Sequence, residues 1–116
     1  MSDEKPWGTF CDVFGPTARN RVLEIFLEGP GVDNGLGNIA EESGLSRAAV
    51  YVIIEELLEQ RLVVPSRKVG RTQLYKLDMN KEEVKALLKA FDLTLKLVAK
   101  EVERGMMKRT EKTVAR

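Results

Sequence analysis

Arg67, Lys68 and Arg71 crowd around Gly70, and no acid lies between Arg61 and Leu77. Cationic groups on a tight glycine turn suit one chemistry above others, the gripping of phosphate oxygens on a polyanion. Upstream, Ala48 and Val52 fall on the outward side of an expected helix, with Tyr51 on its flank and Arg47 in its first turn. Its short apolar first turn suits thymine methyl groups, and Arg47 has the reach for a phosphate or a guanine edge. Gln73, on the far side of the glycine turn, adds a polar side chain to the same group. Nothing else in the chain suggests chemistry. There is no histidine and one cysteine, Cys11, so neither a metal site nor a disulfide framework is expected. Cys11 reads as a small buried hydrophobe, with a redox sensor the lesser reading because no basic neighbour would lower its pKa. No glycine-rich phosphate loop is present, and the paired acids Glu41-Glu42, Glu55-Glu56 and Glu82-Glu83 fall at helix starts or on solvated faces. No catalytic residue and no cofactor are therefore expected, and the chain does not read as an enzyme.

The charge is unevenly spread. The whole chain of 116 residues carries a net charge of only +1. Residues 1–60 hold 11 acids and 4 bases, whereas residues 61–77 hold 5 bases and no acid. Phosphate contacts are made locally, so the basic stretch matters more than the mean. No apolar run approaches the roughly 18 residues of a membrane span. The N-terminus MSDEKPWGTF lacks a basic segment followed by an apolar one. A cytoplasmic protein with no membrane partner is expected.

The elements that must hold these residues follow in chain order. Trp7, Phe10, Val13 and Phe14 form one apolar side of a short helix in an aromatic arm, residues 1–16. Thr17 caps a helix that runs to about Glu28, where Gly29 and Pro30 stop it; Val22, Leu23, Phe26 and Leu27 form its buried stripe. Leu36 is expected to make a short strand contact. Residues 37–43 form a helix stopped by Gly44, Leu45 plugs the corner, and Ser46 caps the next helix, to about Gln60. The order Ala40-x3-Gly44-x5-Val50 is a helix-turn-helix spacing. The small Ala permits close approach, the Gly turns the chain, and the Val packs one helix on the other. Val50, Ile53, Ile54, Leu57 and Leu58 recur at helical spacing and face the core, with Ala48, Val52, Glu55 and Glu59 opposite. Residues 62–67 and 72–77 read as two strands of a hairpin, which places Arg67, Lys68 and Arg71 at its tip.

Asn80 and Glu83 open a last helix ending at Gly105. Its Val84, Leu88, Phe91, Leu95, Val98 and Val102 alternate at four and three, a coiled-coil-like seam. Up to Arg104 this helix spans on the order of 36 Å at 1.5 Å per residue. That exceeds what so small a domain can cover, so a second copy is the simplest home for the seam; packing within the chain would account for its first half but hardly for its second. A basic, flexible tail follows from Met106.

The segments IAEESGLSRAAVYVIIEELLEQRLV and GRTQLYKL resemble the winged-helix regulators of the MarR and ArsR type, especially small archaeal ones. The resemblance covers residues 17–77 and the long helix after them. It implies a homodimer on double-stranded DNA, with the second helix of the pair in the major groove and the hairpin as a wing. By position it assigns Ser46, Arg47, Ala48, Tyr51 and Val52 to the groove and Arg67, Lys68 and Arg71 to the wing. Where that family commonly has a Gly before the first wing strand, this chain has Arg61.

The expected architecture is mainly α with a small β-hairpin: a winged helix-turn-helix, residues 17–78, and a dimerisation helix, residues 79–105. The arm precedes them and residues 106–116 are the tail. The expected function is that of a sequence-specific, DNA-binding transcriptional regulator. A protein-interaction adaptor is the competing reading, favoured by the acids of the second helix. A weakly specific architectural DNA binder is a third.

Overall fold

The computed structural model describes the backbone of residues 7–115 and the side chains of residues 7–105. The elements run α1 (Thr9–Phe14), α2 (Ala18–Glu28), β1 (Asn34–Gly35), α3 (Leu36–Ser43), α4 (Arg47–Glu59), β2 (Val63–Val69), β3 (Thr72–Leu77) and α5 (Glu82–Ala115). The fold is α-rich with one small antiparallel sheet, ordered β1-β3-β2.

Local chemistry accounts for the helix ends. Thr17 accepts a hydrogen bond from the Asn20 amide and so caps α2. Ser46 does the same for α4 through the Ala49 amide. Gly44 stops α3 in the left-handed region, φ 79°, which a residue without Cβ enters at no steric cost. Asn80, between the hairpin and α5, plays a smaller part than expected. Asp78 supplies the side-chain acceptor before α5, taking a bond from the Asn80 amide.

The core lies where α2, α3 and α4 meet the inner ends of the wing strands. Val22, Phe26, Ile39, Val50, Ile54, Leu57, Val63, Leu77 and Val84 are sealed from solvent there. The stripe expected on α2 is all buried, as are the inward residues of α4 apart from the half-buried Leu58.

Four expectations are corrected. Leu36 opens α3; the strand contact is made by Asn34 and Gly35, which pair with Tyr75 and Leu74. A Cβ on Gly35 would meet Leu74 Cδ2 at 3.1 Å, so the strands approach closely because that side chain is missing. In the arm, Phe10 and Cys11 are buried while Val13 and Phe14 are exposed; residues 1–6 lie outside the described residues. The helix is only six residues long, and its docking angle selects the Phe10–Cys11 side. Gly105 does not end α5, which continues to Ala115. One Gly in a helix interior costs about 1 kcal/mol relative to Ala, less than the helix-favouring residues around it can offset. The side chains of the basic tail, Lys108, Arg109, Lys112 and Arg116, lie outside the described ones.

The fourth correction concerns the seam. Val84 and Phe91 belong to the chain's own core, and Phe91 meets Phe10 edge-on, ring centroids 6.0 Å apart. Leu88 is half-buried against the same core. Only the second half is open, with Leu95 40% and Val102 55% exposed and Val98 half-buried. The chain's own core claims the first half, with Phe10 of the arm against Phe91.

Candidate nucleic-acid interface

The helix-turn-helix corner is built from three small features. Gly44 turns the chain, Ser43 Oγ accepts from the Leu45 amide across the corner, and Leu45 packs on the core. The corner is further tied to the arm, since Trp7 Nε1 donates to the Ser43 carbonyl at 3.1 Å. α4 thus leaves the corner with its core face fixed by Val50, Ile53, Ile54 and Leu57. Ser46, Arg47, Ala48, Tyr51 and Val52 are all exposed on its other side, Tyr51 and Val52 by more than half. Arg47 leans over the first turn of α3: a Cβ on Gly37 would lie 3.3 Å from its Nη1. It has no ion-pair partner among the described residues.

Glu55 and Glu59 lie further along the same open side. Glu56 faces Arg19 at 3.8 Å, and Arg19 also donates to Gln60. The first turns of α4 are therefore the apolar and basic end of the helix, and its last turns are the acidic end.

The wing is a two-residue hairpin. Val69 pairs with Thr72, and Gly70 takes φ 62°. Arg61 takes φ 60° just before β2, the position where the resemblance implies a Gly. Lys68 and Arg71 are exposed near the tip and have no ion-pair partner among the described residues. Arg67 departs from expectation. It sits in a bulge, where the register shifts between Pro65 and Lys68. Its Nε donates to Asp33 Oδ2 at 2.9 Å, and Ser66 Oγ donates to the same oxygen at 2.7 Å. The Arg67 and Ser66 bonds hold the Asp33 carboxyl below its ordinary range, and Asp33 in turn raises the Arg67 guanidinium further. Gln73 is not presented outward either. It is half-buried, and its Nε2 donates to the Leu74 and Arg67 carbonyls.

Two further groups escaped sequence reasoning. Glu24 is 0% exposed, yet charged. Its carboxylate accepts from the Gly8 and Cys11 amides at 3.0 and 3.2 Å and from Arg21 Nη1 at 2.8 Å. Burial alone would raise its pKa, but the Gly8, Arg21 and Cys11 donors outweigh that and hold it below the ordinary value. Glu24 thereby caps α1 from another helix. The Cys11 thiol, buried and beside Glu24, is pushed up to about 12. It is inert as a nucleophile at neutral pH. Asp33 was the other omission; in the run Gly29-Pro30-Gly31-Val32-Asp33-Asn34-Gly35 it looks like one more turn residue.

The same geometry recurs among known proteins. Residues 21–67 match the IclR helix-turn-helix domain, which spans α2 to the bulge of β2. Solved structures share the fold. Lactococcus lactis ZitR, as an E41A mutant, aligns at TM-score 0.57 and 22% identity, over 76% of this chain and 58% of that one. The transcriptional regulator HlyU from Vibrio vulnificus CMCP6 aligns at TM-score 0.53 and 28% identity, over 69% and 80%. The adhesin competence repressor AdcR from Streptococcus pyogenes aligns at TM-score 0.58 and 17% identity, over 85% and 75%. The chain thus spans 58% of the length of the ZitR structure it resembles. No curated protein matches the sequence significantly. The class defined by the fold is a winged helix-turn-helix, and its residues 21–67 are similar to the IclR helix-turn-helix domain. No helix of the described residues is long and apolar enough to cross a membrane.

Proposed function

We propose that the chain is a DNA-binding transcriptional regulator that works as a homodimer. The observation that carries this reading is that one fold leaves two surfaces open. The first turns of α4 present Arg47, Ala48, Tyr51 and Val52, and the hairpin that follows presents Lys68 and Arg71 without acid partners among the described residues. In this reading α4 enters the major groove by its N-terminal turns. Ala48 and Val52 meet thymine methyls, and Arg47 and Tyr51 take polar groups or phosphate. The wing grips the flanking backbone, and Glu55 and Glu59 lie past the contact. Gln73 serves the wing by holding its bulge. Two copies joined along the open half of the α5 seam, Leu95, Val98 and Val102, would set two α4 helices about one helical turn of DNA apart. The MarR- and ArsR-type regulators that the sequence resembles, and HlyU, named a transcriptional regulator, support this reading. So does the domain match.

The test is the salt dependence of binding to mixed-sequence and selected DNA. Replacing Lys68 and Arg71 with Ala should weaken binding on every sequence and flatten the log–log salt slope by about 0.9 for each phosphate no longer neutralised. Replacing Arg47 or Tyr51 should change sequence preference more than slope. An unchanged affinity and slope after the wing replacement would remove the wing from the interface. Absence of DNA binding by the intact protein would favour the adaptor reading, to which the acidic end of α4 lends itself.

A further inference from the structure

Adjacent side chains on a strand point to opposite faces of the sheet. Ser66 and Arg67 nevertheless reach one carboxylate oxygen, Asp33 Oδ2. The bulge makes this possible: from Pro65 to Lys68 β2 advances three residues while β3, from Tyr75 to Gln73, advances two, so both side chains are re-aimed to one side. A bulge leaves a backbone group without its ladder partner, and here the Arg67 carbonyl receives the Gln73 side-chain amide at 3.3 Å. The loop before β1, the bulge of β2 and Gln73 of β3 thus converge on a single arginine.

The chemistry of that arginine is unfinished. Asp33 occupies only the Nε position. The two Nη groups, which form the end-on edge of the guanidinium, make no hydrogen bond among the described residues. The Asp33 side chain is 15% exposed and that of Arg67 68% exposed. A planar guanidinium gripped at Nε by a sheltered carboxylate keeps a second, end-on edge for an oxyanion. We propose that Asp33 is a positioning residue that presents the Nη edge of Arg67 to a DNA phosphate. This rests on the DNA-binding reading above. Asp33 removes rotamer freedom from a long side chain before DNA arrives, and Ser66 fixes the carboxylate in turn. The wing then grips by one oriented contact, Arg67, and two that no carboxylate among the described residues anchors, Lys68 and Arg71. The opposite possibility is that Asp33 masks Arg67, competing with phosphate; the two predict opposite signs.

The experiment is a double-mutant cycle on the full chain: wild type, Asp33→Asn, Arg67→Ala and the pair, each titrated with one DNA duplex across a salt series. Ordering one long side chain changes affinity by about three- to tenfold. Asp33→Asn should weaken binding by that amount, although it removes a negative charge from near the DNA. Arg67→Ala should weaken binding and flatten the salt slope by about 0.9. In the Arg67→Ala background, Asp33→Asn should do nothing further, because the residue it positions is gone. Tighter binding and a steeper slope in Asp33→Asn would show masking and overturn the proposal. Still weaker binding on adding Asp33→Asn to Arg67→Ala would show that Asp33 acts on the wing's fold alone, and overturn it equally. If the wild type binds no duplex, the proposal falls with the function it rests on; if it binds and Asp33→Asn is silent, only the proposal falls.

Discussion

Replacing Glu24 with Ala is the sharpest test of how the reading head is held. The carboxylate is the shared acceptor of the Gly8 amide, the Cys11 amide and Arg21. Arg21 is itself 8% exposed, and its Nε already lacks a partner among the described residues. Removing the acid leaves the buried Arg21 with only the part-exposed Glu28 at 3.8 Å and the Glu42 carbonyl at 3.4 Å, and it strips the first turn of α1 of its side-chain acceptor. Breaking a buried pair on one side costs about 3–5 kcal/mol. At roughly 4 °C per kcal/mol for a chain of this size, the melting temperature should fall on the order of 12–20 °C, measured at one protein concentration throughout. A second readout separates global from local unfolding. Cys11 is sealed in and its thiol is pushed up to about 12, so a thiol reagent at about pH 8, where that thiol stays protonated, should label the wild type slowly. With Glu24→Ala, α1 should lift and Cys11 should be labelled much faster, at temperatures well below unfolding. Replacing Arg21 with Met as well should recover the part due to the weakly paired cation, but not Cys11 protection, because α1 still lacks its acceptor. A melting temperature within about 2 °C of wild type, roughly 0.5 kcal/mol on the same scale, with Cys11 still protected, would refute the account.

Three further outcomes are expected. Replacing Leu95 and Val102 with Glu should give monomers in sedimentation with little change in fold, whereas Phe91→Ala should cost about 3–5 kcal/mol of stability because that ring is core; dimers surviving the first change would dismiss the open half-seam. Arg61→Gly should stabilise the fold by up to about 1 kcal/mol, the left-handed penalty of about 1–2 kcal/mol offset in part by glycine's extra chain entropy, as read from the urea midpoint. In acid the sign follows the depressed carboxyls. Glu24 and Asp33 lie below their ordinary values of 4.5 and 3.8, so their stabilisation is present above those values and is lost as pH falls below them. Glu28, raised by burial and by Glu24, works oppositely and stabilises only while protonated. Glu24→Gln should flatten the acid limb of a urea-midpoint profile; an unaltered limb would assign the acid sensitivity elsewhere.

Much of the fold was legible because it is written in local signals. Thr17, Gly44, Ser46 and Gly70 are each the residue type that a cap or a left-handed turn requires, and each occupies that position in the structure. The face of α4 was legible from its spacing alone. The long seam was half legible: its period is real, but a period does not say which partner covers it. Val84 and Phe91 are covered by the chain itself, and of the seam only Leu95, Val98 and Val102 lie outside the core cluster.

What the sequence determined by itself was the set of elements, the open face of the second helix and the basic hairpin, since caps, glycines and periodicity act within a few residues. Tertiary structure alone decided the state of the charges. Arg21 and Glu24, three residues apart, would be an ordinary surface pair on an isolated helix; the arm laid over them makes them a buried pair. Arg67 and Asp33, 34 residues apart, meet only because a bulge turns two neighbouring side chains to one side. Charge pairing depends on distance and burial in space, and neither is written in local spacing.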